Sequence, residues 1–130
     1  MRTRVSVVIL RDKQVLLMRR WREGEEYYVL PGGGVEDEET AEAAAVREAK
    51  EETHLGIELG GKILDSQSNS ERNIVFLVDS FRGTPKLTAS SPEAKRQNHT
   101  NQYHLEWVSM VDLDAIKLVP TTVRKELKKL

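Results

Sequence analysis

The chain has 130 residues, 38% of them hydrophobic and 32% charged, which is enough for one domain whose core needs no cross-link to fold. Its 20 Lys and Arg stand against 21 Asp and Glu, a net charge of −1 that argues against bulk electrostatic binding to nucleic acid or an anionic membrane. There is no cysteine, so disulfides, thiolate chemistry and zinc–sulfur sites are excluded.

The longest apolar stretch, residues 5–10, is interrupted by Ser6 and falls far short of a membrane span. The N-terminus lacks a small-residue cleavage site and is read as a first strand, so the expected compartment is the cytoplasm. Residues 4–10 are rich in β-branched side chains and predict that strand. Arg11, Asp12 and Lys13 form a polar turn, and residues 15–18 a second strand, making a hairpin with the first. Residues 19–26 read as a charged loop holding Trp21. Residues 27–30 form a short strand stopped by Pro31, and Gly32, Gly33 and Gly34 are the strongest punctuation in the chain.

Residues 40–55 predict a helix, with Thr40 as N-cap, Glu42 at the positive end of the dipole, several alanines, and Gly56 as the stop. Residues 57–64 and 73–81 predict strands, residues 83–102 a mobile polar loop, and residues 103–108 a last short strand. Ser109 can cap a short helix through Ile116, and Thr121 or Thr122 a C-terminal helix ending in Lys128 and Lys129. No linker or repeat divides the chain, so a single domain over 1–130 is expected. The fold class is α/β, a mixed sheet with helices packed on it.

Glu48, Glu51 and Glu52 lie at i, i+3 and i+4 and share one face of the helix. Ala41, Ala44, Ala45 and Leu55 fall on the same side, the stripe a helix turns toward the protein. Half-buried carboxylates are costly unless compensated, and like charges at this spacing repel. Arg47 can pair with Glu51 but cannot neutralise three carboxylates. A hard divalent cation can, and an all-oxygen donor set suits Mg²⁺ or Mn²⁺. A solvated acidic face is the plain alternative. The glycine run shifts the balance, because it brings exposed backbone beside the carboxylates, where a ligand or metal can approach closely.

Together these residues resemble the Nudix hydrolase family, whose box is written G-x5-E-x7-R-E-U-x-E-E-x-G-U, with U a bulky aliphatic residue. Gly33 starts the box here, Glu39 follows, and Arg47, Glu48, Glu51 and Glu52 fill the next fixed places. Six of the seven fixed letters match, a coincidence of the order of ~10⁻⁵ per chain by composition. His54 stands in place of the box's second glycine and Ala49 in place of its first aliphatic residue, which predicts an altered helix end and different packing beneath the helix.

The resemblance implies an α/β/α sandwich with a mixed β-sheet between helices. It implies a metal held by Glu48, Glu51, Glu52 and the Gly32 carbonyl, with Arg47 orienting the glutamates and Glu39 behind them. A glutamate on the helix or on a later loop would act as general base; Glu93 is the first loop candidate and Glu106 the second. The implied reaction is hydrolysis of a diphosphate linkage in a nucleoside diphosphate joined to some group X. Arg19 and Arg20, with Arg72 behind them, are candidate phosphate contacts beside Gly32 and Gly33. Trp21, Tyr27 or Tyr28 could stack on a base, although packing is the simpler role for each; Phe76 and Trp107 read as core. Residues 69–75 lack the signatures of the ADP-ribose and diadenosine polyphosphate subgroups, which leaves X open, with nucleoside triphosphates favoured. Many relatives dimerise, so a homodimer is allowed. The alternative function is a nucleotide sensor of the same fold without turnover.

Overall fold

The computed structural model describes residues 1–86 and 101–130, with the Asn101 side chain left aside. Glu93 therefore lies outside the described residues, as does most of the polar loop expected over 83–102. The strands are β1 (Arg2–Val8), β2 (Leu10–Arg11), β3 (Gln14–Arg22), β4 (Glu25–Val29), β5 (Gly32–Gly34), β6 (Gly56–Gln67), β7 (Glu71–Arg82) and β8 (Asn101–Ser109). The helices are α1 (Ala41–Thr53) and α2 (Thr121–Leu127), preceded by a 3-10 turn at Met110–Ala115.

Among the described residues these strands form two four-stranded sheets. One runs β5-β1-β7-β6 and is mixed, because β1 and β7 pair in parallel. The other is antiparallel, with β2 and β4 on one side of β3 and β8 on the other. The strand expected over 4–10 is divided. It stays in the mixed sheet to Val8, passes Ile9, and enters the antiparallel sheet as β2. The hairpin is thus β2–β3, closed by Asp12 and Lys13, both at positive φ.

The charged loop expected over 19–26 is instead strand. β3 runs on to Arg22 and β4 starts at Glu25. Only Glu23 and Gly24 turn, both at positive φ, the geometry that matches the twist of a two-residue hairpin. The charged side chains fit because strand residues alternate between faces. Gly32, Gly33 and Gly34 are likewise not loop; they pair antiparallel with Ser6, Val5 and Arg4.

Both faces of the strands are covered. Val5, Val7, Leu16, Ile74 and Phe76 pack under Ala44, Ala45 and Ala49 of α1. Val8, Val15, Leu17 and Val75 pack against Leu113, Val123 and Leu127 on the other side. Phe76 is buried, and Trp107 packs half-buried at the edge of the α1 cluster. The α/β class with strands between helices is the one expected. Ala49 is fully buried, so the missing aliphatic bulk leaves the helix seated.

Thr40 caps α1, its Oγ1 accepting from the Ala43 N–H at 3.0 Å. The helix ends at Thr53 rather than Leu55, and the stop is His54, not Gly56. His54 adopts φ 66°, its N–H donates to the Lys50 carbonyl, and Gly56 opens β6. A left-handed residue with a Cβ costs about 1 kcal/mol relative to glycine. His54→Gly is therefore expected to stabilise the protein by a few tenths to about 1 kcal/mol, less what glycine adds to unfolded-chain entropy. Urea unfolding checks it; a lower midpoint in the variant would show that the imidazole contributes more than the strain costs. The later caps differ from expectation too. Ser109 and Pro120 precede the 3-10 turn and α2, and neither makes a side-chain cap hydrogen bond.

Candidate active site

Glu48, Glu51 and Glu52 converge. One oxygen from each lies within 4.8 Å of the others. Glu48 and Glu52 are buried at 8% and 2% exposure, whereas Glu51 is half-exposed. Three carboxylates that close, two of them buried, form a hard-oxygen donor set, which suits a small divalent cation.

Gly33 explains how the helix comes so near the sheet. A Cβ on it would sit 2.4 Å from the Glu48 carboxyl atoms. Gly32 is equally constrained, since a Cβ there would lie 2.1 Å from the Val5 carbonyl oxygen. The glycines are needed for close approach, in a strand rather than a turn.

Arg47 holds the cluster in place. Its guanidinium donates to Glu39 Oε2 and Oε1 at 2.8 and 2.9 Å, to Glu48 Oε1 at 2.8 Å and to Glu51 Oε2 at 3.4 Å. It also donates to the Gly34 carbonyl at 3.0 Å, which ties α1 to β5. These hydrogen bonds, first to Glu39 and then to Glu48, raise its pKa far above the ordinary guanidinium range. Glu39 is pushed down to about 2, first by Arg47 and then by the Glu36 N–H. Ionised Glu39 therefore favours the folded state. Its contribution is complete above the ordinary pKa of 4.5 and is lost as pH falls toward 2. Glu39→Gln is expected to flatten the acid limb of the stability curve between those limits. Parallel acid slopes in wild type and variant, followed by denaturant melts across pH, would exclude this linkage.

Glu52 and Gly32 line a narrow cleft with Arg4, Arg20, Leu30 and Tyr103. Of the arginines singled out, Arg20 is the one brought here. It is positioned by two tyrosines directly across from it on β4 and β8. Its guanidinium donates to the Tyr103 hydroxyl at 2.7 Å and lies 4.5 Å from the Tyr103 ring and 5.4 Å from the Tyr27 ring.

Arg19 points to the other face of β3. There it is bound by Glu26 at 2.7 Å and Glu106 at 3.0 Å, and these hydrogen bonds raise its pKa in that order. Glu106 also accepts from the Tyr28 hydroxyl at 3.2 Å. Burial first, then Glu106, pushes the Tyr28 phenol up. Glu106 is opposite Leu17 on the antiparallel sheet, facing away from Glu52, so the structure does not bring it to the trio. Arg72 is engaged by Asp65 at 2.9 and 2.7 Å, on the face of β7 opposite the cleft. Of the aromatic candidates, Tyr27 lines the cleft, Tyr28 is core, and Trp21 sits beside Arg19 on the far face.

Arg4 is the cleft residue that sequence reasoning missed. Its signal was present in the alternation of β1. Val5 and Val7 face α1, so Arg4 and Ser6 must face the other way.

The two-sheet α/β chain thus sets three converging carboxylates, two of them buried, against a glycine strand and beside an arginine-lined cleft. The family model for the NUDIX domain matches residues 1–130. The chain belongs to the NUDIX family. An ADP-ribose pyrophosphatase of Methanocaldococcus jannaschii is 36% identical over 99 residues, which are 70% of this chain and 58% of that protein. The matched part thus spans less than two thirds of the relative's length. Among solved structures, the E. coli ORF135 protein is 25% identical with TM-score 0.74, over 98% of this chain and 86% of that one. MutT, studied from Aliivibrio salmonicida and Vibrio cholerae, is 22% identical with TM-score 0.77, over 97% and 95%. Among the described residues, no helix is long and apolar enough to cross a membrane.

Proposed function

We propose that the chain hydrolyses a phosphoric anhydride bond in a nucleoside diphosphate joined to a group X, with Mg²⁺ or Mn²⁺. The observation that carries this reading is the convergence of Glu48, Glu51 and Glu52 within 4.8 Å, beside a cleft that also holds Arg4 and Arg20. Glu48, Glu51 and Glu52 would hold the cation, with the Gly32 carbonyl as a further donor at the cleft wall. When bound, the cation neutralises the diphosphate and lowers the pKa of coordinated water.

The chain's own residues do the rest. Arg47 fixes the rotamers of Glu48 and Glu51. Arg20, held rigid between its tyrosines, and Arg4 take the phosphate oxygens. A glutamate accepts the proton of the attacking water, from the helix trio or from Glu93. The likeness to the ADP-ribose pyrophosphatase of Methanocaldococcus jannaschii supports a nucleotide substrate. A single domain over 1–130 and a cytoplasmic setting complete the reading, and a homodimer is compatible with it.

The test is a hydrolysis panel with purified protein and Mg²⁺. It spans nucleoside triphosphates, ADP-ribose, dinucleoside polyphosphates and nucleotide sugars. Run in ¹⁸O-labelled water, it is read by mass spectrometry. One substrate is expected to turn over with label in a phosphate product. No turnover with either metal, accompanied by nucleotide binding, would replace hydrolysis with a sensor function.

A further inference from the structure

Beyond Glu52, the cleft widens into a cavity of about 350 Å³, continuous with the narrow part through Arg4, Arg20, Val29 and Leu30. Its apolar side is made by Val29, with Val119, Pro120 and Val123 from the approach to α2 and its first turn. An apolar wall of this kind offers packing surface to the face of a ring. Glu71 and Asn73 lie on the β7 side of this wider end. They are two residues apart on one strand and share a face, while Arg72 between them turns away to Asp65. Arg4 is directly across the parallel pair from Asn73, so the phosphate end and this polar edge are fixed to one another by strand register. Among the described residues, neither the Glu71 carboxylate nor the Asn73 amide is hydrogen-bonded to a neighbouring side chain.

Resting on the reading that the cleft holds a nucleotide, we infer that Glu71 and Asn73 read its base and select one bearing an exocyclic amino group. An ionised carboxylate only accepts, and the amide contributes one further acceptor beside its donor. In cytosine or adenine the amino group supplies two hydrogens to the oxygens, and the ring nitrogen beside it accepts from the amide N–H. The amidine edge of guanine presents three hydrogens. Uracil and hypoxanthine offer a single N–H on the corresponding edge, which leaves a carboxylate lone pair desolvated without a donor.

The experiment is calorimetric titration in Mg²⁺ with α,β-methylene diphosphates, which are not hydrolysed at the bridged position. Cytidine is compared with uridine, and adenosine and guanosine each with inosine. The amino-bearing member of at least one pair is expected to bind about tenfold tighter or more, the effect of one unmet buried hydrogen bond. Glu71→Gln and Asn73→Leu are expected to bring that ratio close to one while leaving the affinity for methylene diphosphonate itself unchanged. Equal affinities within every pair in the wild type, or a preference untouched by both variants, overturns the inference. Nucleotide binding without base preference leaves the proposed function standing; binding of no nucleotide overturns both.

Discussion

Glu52→Gln is expected to lower turnover by at least about 10²-fold while leaving the fold in place. Glu52 is 2% exposed, and its carboxylate lies with those of Glu48 and Glu51 within 4.8 Å. Glutamine keeps the shape and removes one negative charge. Two measurements should therefore move in opposite senses. Without metal, the melting temperature should hold or rise, because mutual repulsion within the trio is relieved. With Mg²⁺ or Mn²⁺, the stabilisation of the wild type should shrink in the variant, since a ligand stabilises only in proportion to its affinity for the folded state. A variant with near-normal turnover and an undiminished metal-induced shift removes Glu52 from the proposed metal site.

Gly33→Ala should be almost as damaging, through a residue that bears no functional group. The added methyl would lie 2.4 Å from the Glu48 carboxyl, and β5 cannot retreat because it is paired with β1. Glu48 must leave its position, and with it the hydrogen bond from Arg47 at 2.8 Å. Loss of such a positioning contact costs about 10–100-fold in metal affinity or activity. Metal titration followed by thermal shift gives the first, and turnover gives the second. A substitution that leaves both unchanged would mean that α1 slides to make room at no cost to the trio.

The sequence exposed the helix half of this site because helix geometry is local. Glu48, Glu51 and Glu52 share a face whatever the rest of the chain does, and the pairing of Arg47 with Glu51 follows from the same spacing. The glycines beside them were legible as close-approach residues, but not as a strand, since no local pattern distinguishes β5 from a turn. The sheet half was harder. Arg19 and Arg20 are neighbours of the same type, and only the choice of face separates a residue locked to Glu26 and Glu106 from one in the cleft. That choice depends on register with β4 and β8, which is set by distant sequence. Arg72 and Asn73 pose the same ambiguity on β7, where Arg72 is held by Asp65 and Asn73 lines the cleft. The division of the first strand at Ile9 was hidden because both halves are β-branched and apolar, whichever sheet they join.

The parallel pairing of β1 with β7 has a consequence for the order of events during synthesis. Arg4 meets Asn73, its partner across the ladder, only when some seventy residues have been made, and the slot closes only when Val123 arrives. Contacts so distant along the chain are slow to form and depend on one another. A nascent chain therefore carries the complete carboxylate helix well before it carries the cleft proposed to seat a nucleotide. Affinity for nucleotide should appear late and abruptly in refolding, after helical signal has recovered, making ligand binding a sensitive report that both sheets have docked.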